Sequence, residues 1–204
     1  AGPTTTTGKI FEQLQFNDKH PTINPVTEQP LTPTPFVTQT LGFSLDRGTP
    51  LPYLGLSRVF ILTGGGTCSA SEAVMNGLAG ANVDVIQIGA TTCGKPYGFY
   101  PADNCGTTYF SIQFQGVNQK GFGDYADGFT PGGVFHGCVV ADDFMHSLGD
   151  PAEARLATAL AYRTNQTCPP ILALGTQGAA GKLLPEPEGM IPKSIWQQNR
   201  ILTR

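Results

Sequence analysis

Two short apolar runs with a helical segment between them constrain the fold more than any other feature of this chain. Residues 57–63 (SRVFILT) and 83–89 (VDVIQIG) are rich in β-branched residues and are typical of buried strands. The glycine turn 64–67 (GGGT) ends the first run, and residues 69–81 then show the three- and four-residue apolar spacing of a helix. A strand, a helix and a second strand in this order predict a parallel βαβ unit and therefore an α/β fold.

The helix between these strands is predicted to begin at Ser69. Ser69 and Glu72 form the S-x-x-E pattern of a capping box, which makes Ser69 the expected N-cap residue. Free backbone N–H groups and the helix dipole favour developing negative charge at this position, which suits a nucleophile beside an oxyanion site. The same pattern is common for a serine that only caps a helix, so the position alone leaves both interpretations open.

The chain separates by composition into an arm, a core and a tail. Residues 1–56 contain eight of the 17 prolines, which exclude long helices there because proline removes a backbone donor. We expect an ordered, extended Pro/Thr-rich arm that belongs to the same domain as the core, since a pure linker would not carry four phenylalanines. Residues 57–170 form the α/β core that would carry any catalytic residues. Residues 171–204 form the tail, in which 194–202 are either a short helix or a docked strand.

Apolar alternation and capping patterns predict further elements. Strands are predicted at 9–16, 36–45 and 107–117, and a loop at 121–133. A second helix is predicted to begin at Asp150, with Pro151 at its first position, and to end near residues 164–165.

A lysine follows the second strand of the βαβ unit. Lys95 ends the segment 89–95 (GATTCGK), and parallel strands bring their carboxyl ends to one edge of a sheet, so Lys95 is expected near Ser69. An unprotonated lysine can act as the general base for a serine nucleophile. The same segment matches the phosphate-binding pattern G-x-x-x-x-G-K, but Pro96 stands where that motif has Ser or Thr. Nucleotide binding is therefore not expected.

Charge and composition exclude several classes of function. With 12 basic and 15 acidic residues the net charge is −3, which argues against a nucleic-acid partner bound through a basic face. No run of about 18 apolar residues occurs, so no membrane span is expected. No C-x-x-C pair is present and the three histidines are scattered, so a zinc site is not expected.

The cysteines bear on the compartment. Four of the five lie in loops rich in Gly, Pro and Asn, which favours disulfides and an oxidising environment, whereas five reduced thiols would fit a cytosolic protein. Their spacing leaves the pairing open. We expect the bonds Cys93–Cys105 and Cys138–Cys168, with Cys68 as a free thiol, and a periplasmic or secreted location.

Residues 66–80 (GTCSASEAVMNGLAG) and 83–98 (VDVIQIGATTCGKPYG) resemble the catalytic segment of the C-terminal-processing peptidases, also called tail-specific proteases. The resemblance extends over residues 57–163 and includes the turn 128–131 (GFTP). It implies a serine endopeptidase with a Ser–Lys dyad, on a sheet-and-helix core related to the crotonase and Clp protease folds. It also implies an acyl-enzyme mechanism without a cofactor, and a partner that is an extended or unfolded polypeptide substrate.

Site residues follow from this resemblance by position. Ser69 is the implied nucleophile, Lys95, 26 residues later, is the general base, and the backbone N–H of Ala70 is one oxyanion donor. The family often has a glutamine four residues after the lysine that orients it, and this chain has Phe99 there. Gln113, from the next predicted strand, is the candidate that could replace this orienting residue.

The resemblance also predicts what the chain lacks. No counterpart is found of the upstream glycine turn that supplies the second oxyanion N–H in the family. We therefore expect a core incomplete at its N-terminal side, a missing N-terminal part of the same protein as a partner, and an isolated chain that is weakly active or inactive.

Two functions of other classes stay open at this point. The chain could be a non-catalytic fragment or homologue that binds peptides, or a crotonase-like enzyme acting on acyl groups. The missing oxyanion parts favour the first of these, whereas the second gives no evident role to Ser69 together with Lys95.

Overall fold

The structure is a computed structural model, and it describes residues 3–169. The predicted tail, residues 171–204, lies outside the described residues, as does the segment 194–202. The helices of the described part are α1 Pro3–Thr6, α2 Ala70–Gly80 and α3 Ala154–Asn165. The strands are β1 Ile10–Gln15, β2 Thr34–Pro35, β3 Arg58–Thr63, β4 Asp84–Gly89, β5 Tyr97–Gly98, β6 Ala102–Asn104, β7 Thr107–Tyr109, β8 Phe114–Val117 and β9 His136–Val139.

A parallel sheet of order β3-β4-β9 forms the centre of the fold. Strand β3 pairs with β4 from Arg58 opposite Asp84 to Thr63 opposite Gly89, and α2 connects the two strands. The predicted βαβ unit and the predicted α/β fold are therefore confirmed. Because the pairing is in parallel, the carboxyl ends of β3 and β4 meet at the sheet edge where α2 begins.

Both faces of this sheet are covered, as expected for a parallel sheet. Alternate side chains of β3 and β4 point to opposite faces. Val59, Ile61 and Val85 pack on one face with Met75 of α2 and with the rings of Tyr125, Phe129 and Phe135. Phe60, Ile86 and Ile88 pack on the other face with Ala159 and Tyr162 of α3.

A second sheet, of order β2-β1-β8-β5, is antiparallel. Strand β1 from the Pro/Thr-rich arm pairs with β8, with Leu14 opposite Gly116. The arm therefore contributes a strand to this sheet, in agreement with the strand predicted at 9–16. Strands β6 and β7 form a separate hairpin.

Helix α2 buries only part of the face that its apolar spacing, at Ala70, Ala73, Val74, Gly77, Leu78 and Ala81, predicts. Its buried residues are Glu72, Met75, Asn76, Gly77 and Gly80. Ala70 and Val74, which belong to the predicted apolar stripe, are exposed. Gly77, in the same spacing, is buried because the ring of Phe11 packs closely on it, and a Cβ there would lie 2.6 Å from that ring.

Three elements differ from their predictions. Residues 36–45 form only an isolated bridge, between Gln39 and Pro50, because the segment buries no sheet face. Residues 107–117 divide into β7 and β8, which belong to different sheets. Strand β9 was not predicted, since its sequence HGCV has little strand propensity and its pairing with β4 provides the stabilisation.

Helix α3 ends at Asn165 as predicted but begins later than predicted. Its N-cap is Glu153, whose carboxylate accepts hydrogen bonds from the N–H groups of Arg155 and Leu156 at 3.1 and 2.8 Å. Asp150 instead closes the preceding turn by accepting the N–H of Ala152 at 2.9 Å. Within residues 3–169, no helix is long and apolar enough to cross a membrane.

Candidate active site

Ser69 occupies the junction between the glycine turn and helix α2. It is the N-cap of the helix, as predicted, and its backbone has φ 53° and ψ −108°. A non-glycine residue rarely adopts this conformation, which costs on the order of 1–3 kcal/mol and persists where surrounding contacts enforce it. A strained strand–turn–helix junction of this kind exposes the nucleophilic serine in α/β-hydrolases.

Ser69 and Lys95 line one open pocket of about 480 Å³. Ser69 is half-buried, whereas the Lys95 side chain is exposed. The exposed side of α2 contributes Ala70, Ala73 and Val74 to the same pocket, so the N-terminal part of the helix's apolar spacing faces this cavity rather than the core. Ser69 and Lys95 thus both line one pocket, as expected from their predicted positions at the same sheet edge.

The carboxylate of Glu72 connects the two segments that carry Ser69 and Lys95. Its Oε2 accepts the backbone N–H of Ser69 at 2.9 Å and that of Lys95 at 2.8 Å. Its Oε1 accepts the N–H of Gly94 at 2.8 Å and the hydroxyl of Thr92 at 2.6 Å. Glu72 is fully buried, so its charge is compensated by these four donors rather than by water.

The Lys95 segment also packs against the loop that contains the GFTP turn. The backbone N–H of Thr92 donates to the carbonyl of Phe129 at 3.0 Å, and the N–H of Phe129 donates to Thr92 Oγ1 at 2.7 Å. Gly94 has φ 78°, and a Cβ there would overlap the carbonyl oxygen of Ala126. The two backbones therefore approach so closely that only glycine fits at this position.

The disulfide prediction is half correct. Cys138 and Cys168 are bonded as predicted, but Cys68 is bonded to Cys93, and Cys105 is the free, exposed thiol. The predicted Cys93–Cys105 bond is wrong because Cys105 lies in the turn of the β6–β7 hairpin, whereas the parallel pairing of β3 with β4 brings the segments after both strands together. The Cys68–Cys93 bond therefore crosslinks the residue before Ser69 to the segment of Lys95.

The other two predicted site residues lie at different places. Ala70, the predicted oxyanion donor, is the first residue of α2 and lines the pocket. Gln113 lines a different cavity with Tyr97 and Phe114, and its Oε1 accepts the backbone N–H of Tyr100 at 2.7 Å. An orienting contact from Gln113 to Lys95 stays a prediction.

Three ionisable residues in the pocket were not recognised in the sequence, namely Glu12 on β1, Tyr97 on β5 and Tyr125. Burial raises the pKa of Glu12. Burial, together with the nearby carboxylates of Glu12 and Glu72, raises the pKa of Tyr125 to about 12, so this phenol stays protonated at neutral pH. An acidic residue within the alternating apolar strand 9–16 could have indicated Glu12 from the sequence, whereas no local pattern indicated Tyr125.

Within residues 3–169, no three His, Cys, Asp or Glu side chains cluster in a way that could hold a metal ion.

Neither a protein-family model nor a curated protein matches the chain. Among solved structures, it is similar to a protein from Bacteroides fragilis NCTC 9343 described as "Putative S41 protease", with a TM-score of 0.56 and 22% sequence identity. The similarity covers 82% of this chain and 39% of that protein, so this chain spans less than half of its length. S41 is the family of the C-terminal-processing peptidases. At this identity the similarity shows the fold alone, and the chain thus has a mixed α/β fold similar to that of this neighbour.

Proposed function

We propose that this chain is the catalytic part of a serine endopeptidase that uses Ser69 as nucleophile and Lys95 as general base. One observation carries the proposal. The segments of Ser69 and Lys95 are joined twice, by hydrogen bonds to the Glu72 carboxylate and by the Cys68–Cys93 bond, and both residues line one pocket. A serine that only caps a helix would need neither the strained backbone nor the contacts to a second loop. The S41-type fold supports the same function.

The proposed reaction proceeds through an acyl-enzyme. Ser69 Oγ attacks the carbonyl carbon of the peptide bond while the unprotonated Lys95 amine accepts the hydroxyl proton. The oxyanion that forms accepts a hydrogen bond from the N–H of Ala70. Lys95 then donates the proton to the leaving amine as the C–N bond breaks. Water, deprotonated by Lys95, attacks the acyl carbon, and Lys95 returns this proton to Ser69 Oγ as the ester bond breaks and the carboxylic acid product leaves.

The proposed substrate is an extended or unfolded polypeptide. Strand β5 is an edge strand of the antiparallel sheet, and its residues Tyr97 and Gly98 line the pocket. An edge strand offers unpaired backbone groups to which an extended peptide can add as a further strand. This arrangement would bring the peptide backbone alongside Ser69.

The proposed location is extracytoplasmic, either periplasmic or secreted. Two disulfides are present within residues 3–169, and such bonds persist in oxidising compartments.

Labelling with a fluorophosphonate probe tests the dyad. We expect labelling of Ser69 that is lost in Ser69→Ala and reduced at least 100-fold in Lys95→Met, which keeps the length of the side chain without its amine. Ser71→Ala is the matched control, since Ser71 is also at the start of α2 but is exposed and outside the pocket. Labelling that persists in Ser69→Ala, or that is lost equally in Ser71→Ala, would refute the assignment.

A further inference from the structure

The candidate active-site pocket has one carboxylate among its described lining residues, that of Glu12. Glu12 lies on β1, two residues before Leu14, so the two side chains point to the same face of the sheet. Leu14 pairs with Gly116 of β8, and a Cβ at Gly116 would overlap the Glu12 Oε1 atom. The absence of a side chain at position 116 therefore makes room for the Glu12 carboxylate at the pocket wall.

This carboxylate has no partner within the described part of the chain. The ion pairs there are His146–Asp143 and Arg155–Asp142, and no side-chain hydrogen bond there involves the Glu12 carboxylate. The side chain is nevertheless half-buried, and burial raises its pKa. A half-buried carboxylate without a partner at the wall of a pocket is suited to accept a hydrogen bond from a ligand that enters this pocket.

The walls around Glu12 are mainly apolar. Phe11, Leu14, Val74 and Phe114 line the same pocket. Such walls suit the aliphatic stem of a lysine or arginine, which packs along apolar surface while its charged end reaches an acceptor. Lys95 also lines the pocket, but neither of the two ion pairs of the described residues includes it. Its proposed role as a base requires the unprotonated amine, which carries no charge to pair with Glu12.

We propose that Glu12 determines specificity by binding a cationic side chain, lysine or arginine, of the peptide substrate. This inference rests on the proposed peptidase function, since it names the substrate class of the same pocket. Glu12 would make a charge-assisted hydrogen bond to the substrate cation, while the apolar walls contact the stem of its side chain.

The test compares two N-acetylated peptides that differ only by lysine or its neutral isostere norleucine at one position next to the scissile bond. Acetylation excludes the other source of the same charge, a free amino terminus. We expect the intact chain to prefer the lysine peptide in kcat/KM by about 10- to 100-fold, the range for a hydrogen bond to a charged group. We expect Glu12→Gln to abolish this preference and Glu12→Lys to reverse it toward a glutamate peptide.

Glu28→Gln is the control, because Glu28 is exposed and outside the pocket. Equal cleavage of both peptides by the unaltered chain would overturn the inference and leave the proposed function intact. A lysine preference that survives in Glu12→Gln, or one that appears only with a free amino terminus, would also overturn it.

Binding to Ser69→Ala separates the two proposals. Fluorescence anisotropy of the labelled peptides should show tighter binding of the lysine peptide, lost in the double variant Ser69→Ala/Glu12→Gln. This result with neither cleavage nor fluorophosphonate labelling of Ser69 in the unaltered chain would refute the peptidase function and support cation binding by Glu12. If the lysine and norleucine peptides differ in neither cleavage nor binding, the proposed binding of a cation by Glu12 is overturned.

Discussion

At the level of single residues, the buried carboxylate of Glu72 accepts hydrogen bonds from Ser69, Thr92, Gly94 and Lys95. Three of these donors are backbone N–H groups, so the positions of two loops depend on one side chain. Hydrogen bonds to a charged group contribute about 1.5–3 kcal/mol each and are not additive within one network. Glu72 therefore acts as a positioning residue for the proposed dyad.

We predict that Glu72→Gln lowers the free energy of unfolding by about 2–4 kcal/mol. A glutamine removes the charge and turns an NH2 group toward backbone donors, which leaves buried groups unsatisfied. Fluorophosphonate labelling of Ser69 should fall at least tenfold under conditions in which the variant is still folded. Circular dichroism melting and labelling rates measure the two effects, with Glu28→Gln as the exposed control. Unchanged values of both in Glu72→Gln would contradict the positioning role.

At the level of elements, the parallel pairing of β3 and β4 brings together the loops that follow these strands. The Cys68–Cys93 bond and the contacts of Thr92 and Phe129 then determine how the Lys95 segment leaves the sheet. The Cys138–Cys168 bond instead joins β9 to the segment after α3. The first disulfide thus adjoins residues that line the pocket, and the second does not.

The two disulfides are well matched for a comparison, because they span 25 and 30 residues. In the chain-entropy model each contributes about 3.5 kcal/mol of stability. We predict similar losses of stability in Cys68→Ser/Cys93→Ser and in Cys138→Ser/Cys168→Ser, but a selective loss of labelling at Ser69, at least tenfold, in the first. Chemical denaturation and labelling below the transition measure these effects. Equal labelling in both double variants would show that the first bond does not position the site.

At the level of the whole molecule, the free energy of unfolding depends on pH, because the pKa values of Glu12 and Tyr125 in the pocket are raised in the folded chain. The pKa of Glu12 is raised by burial, so the folded chain binds its proton more tightly than the unfolded chain does. The contribution of the protonated form is present below the unfolded pKa and is lost as the pH rises through the folded pKa. The contribution of protonated Tyr125 to stability is lost in the same way at alkaline pH, as the pH rises from about 10 through the raised pKa of about 12.

We predict that Glu12→Gln raises the melting temperature at pH 7 and that this advantage disappears at pH values below the unfolded pKa of the carboxyl. The reason is that ionised Glu12 lacks a partner within the described residues when no substrate is bound. Calorimetric melting of both proteins across pH 3 to 8 provides the measurement. A lower melting temperature of Glu12→Gln at pH 7 would mean that the carboxylate already has a stabilising partner.

Local patterns were sufficient to predict the βαβ unit, the capping position of Ser69 and the end of α3, because these features depend on neighbouring residues. The proximity of Ser69 and Lys95 followed from the parallel pairing alone. Strand β9 and the division of residues 107–117 between two sheets could not be predicted, since pairing with distant strands outweighs the weak local preference there.

By itself, the sequence determined the order of strand, turn and helix that leads to Ser69, since apolar periodicity and capping act within a few residues. Only the tertiary structure decided that Cys68 bonds to Cys93, that Glu72 faces the Lys95 segment and that Glu12 enters the pocket. Disulfide partners, the buried face of a helix and the surroundings of a carboxylate depend on which distant backbones approach each other. That approach is determined by packing across the whole molecule, which no single segment of sequence contains.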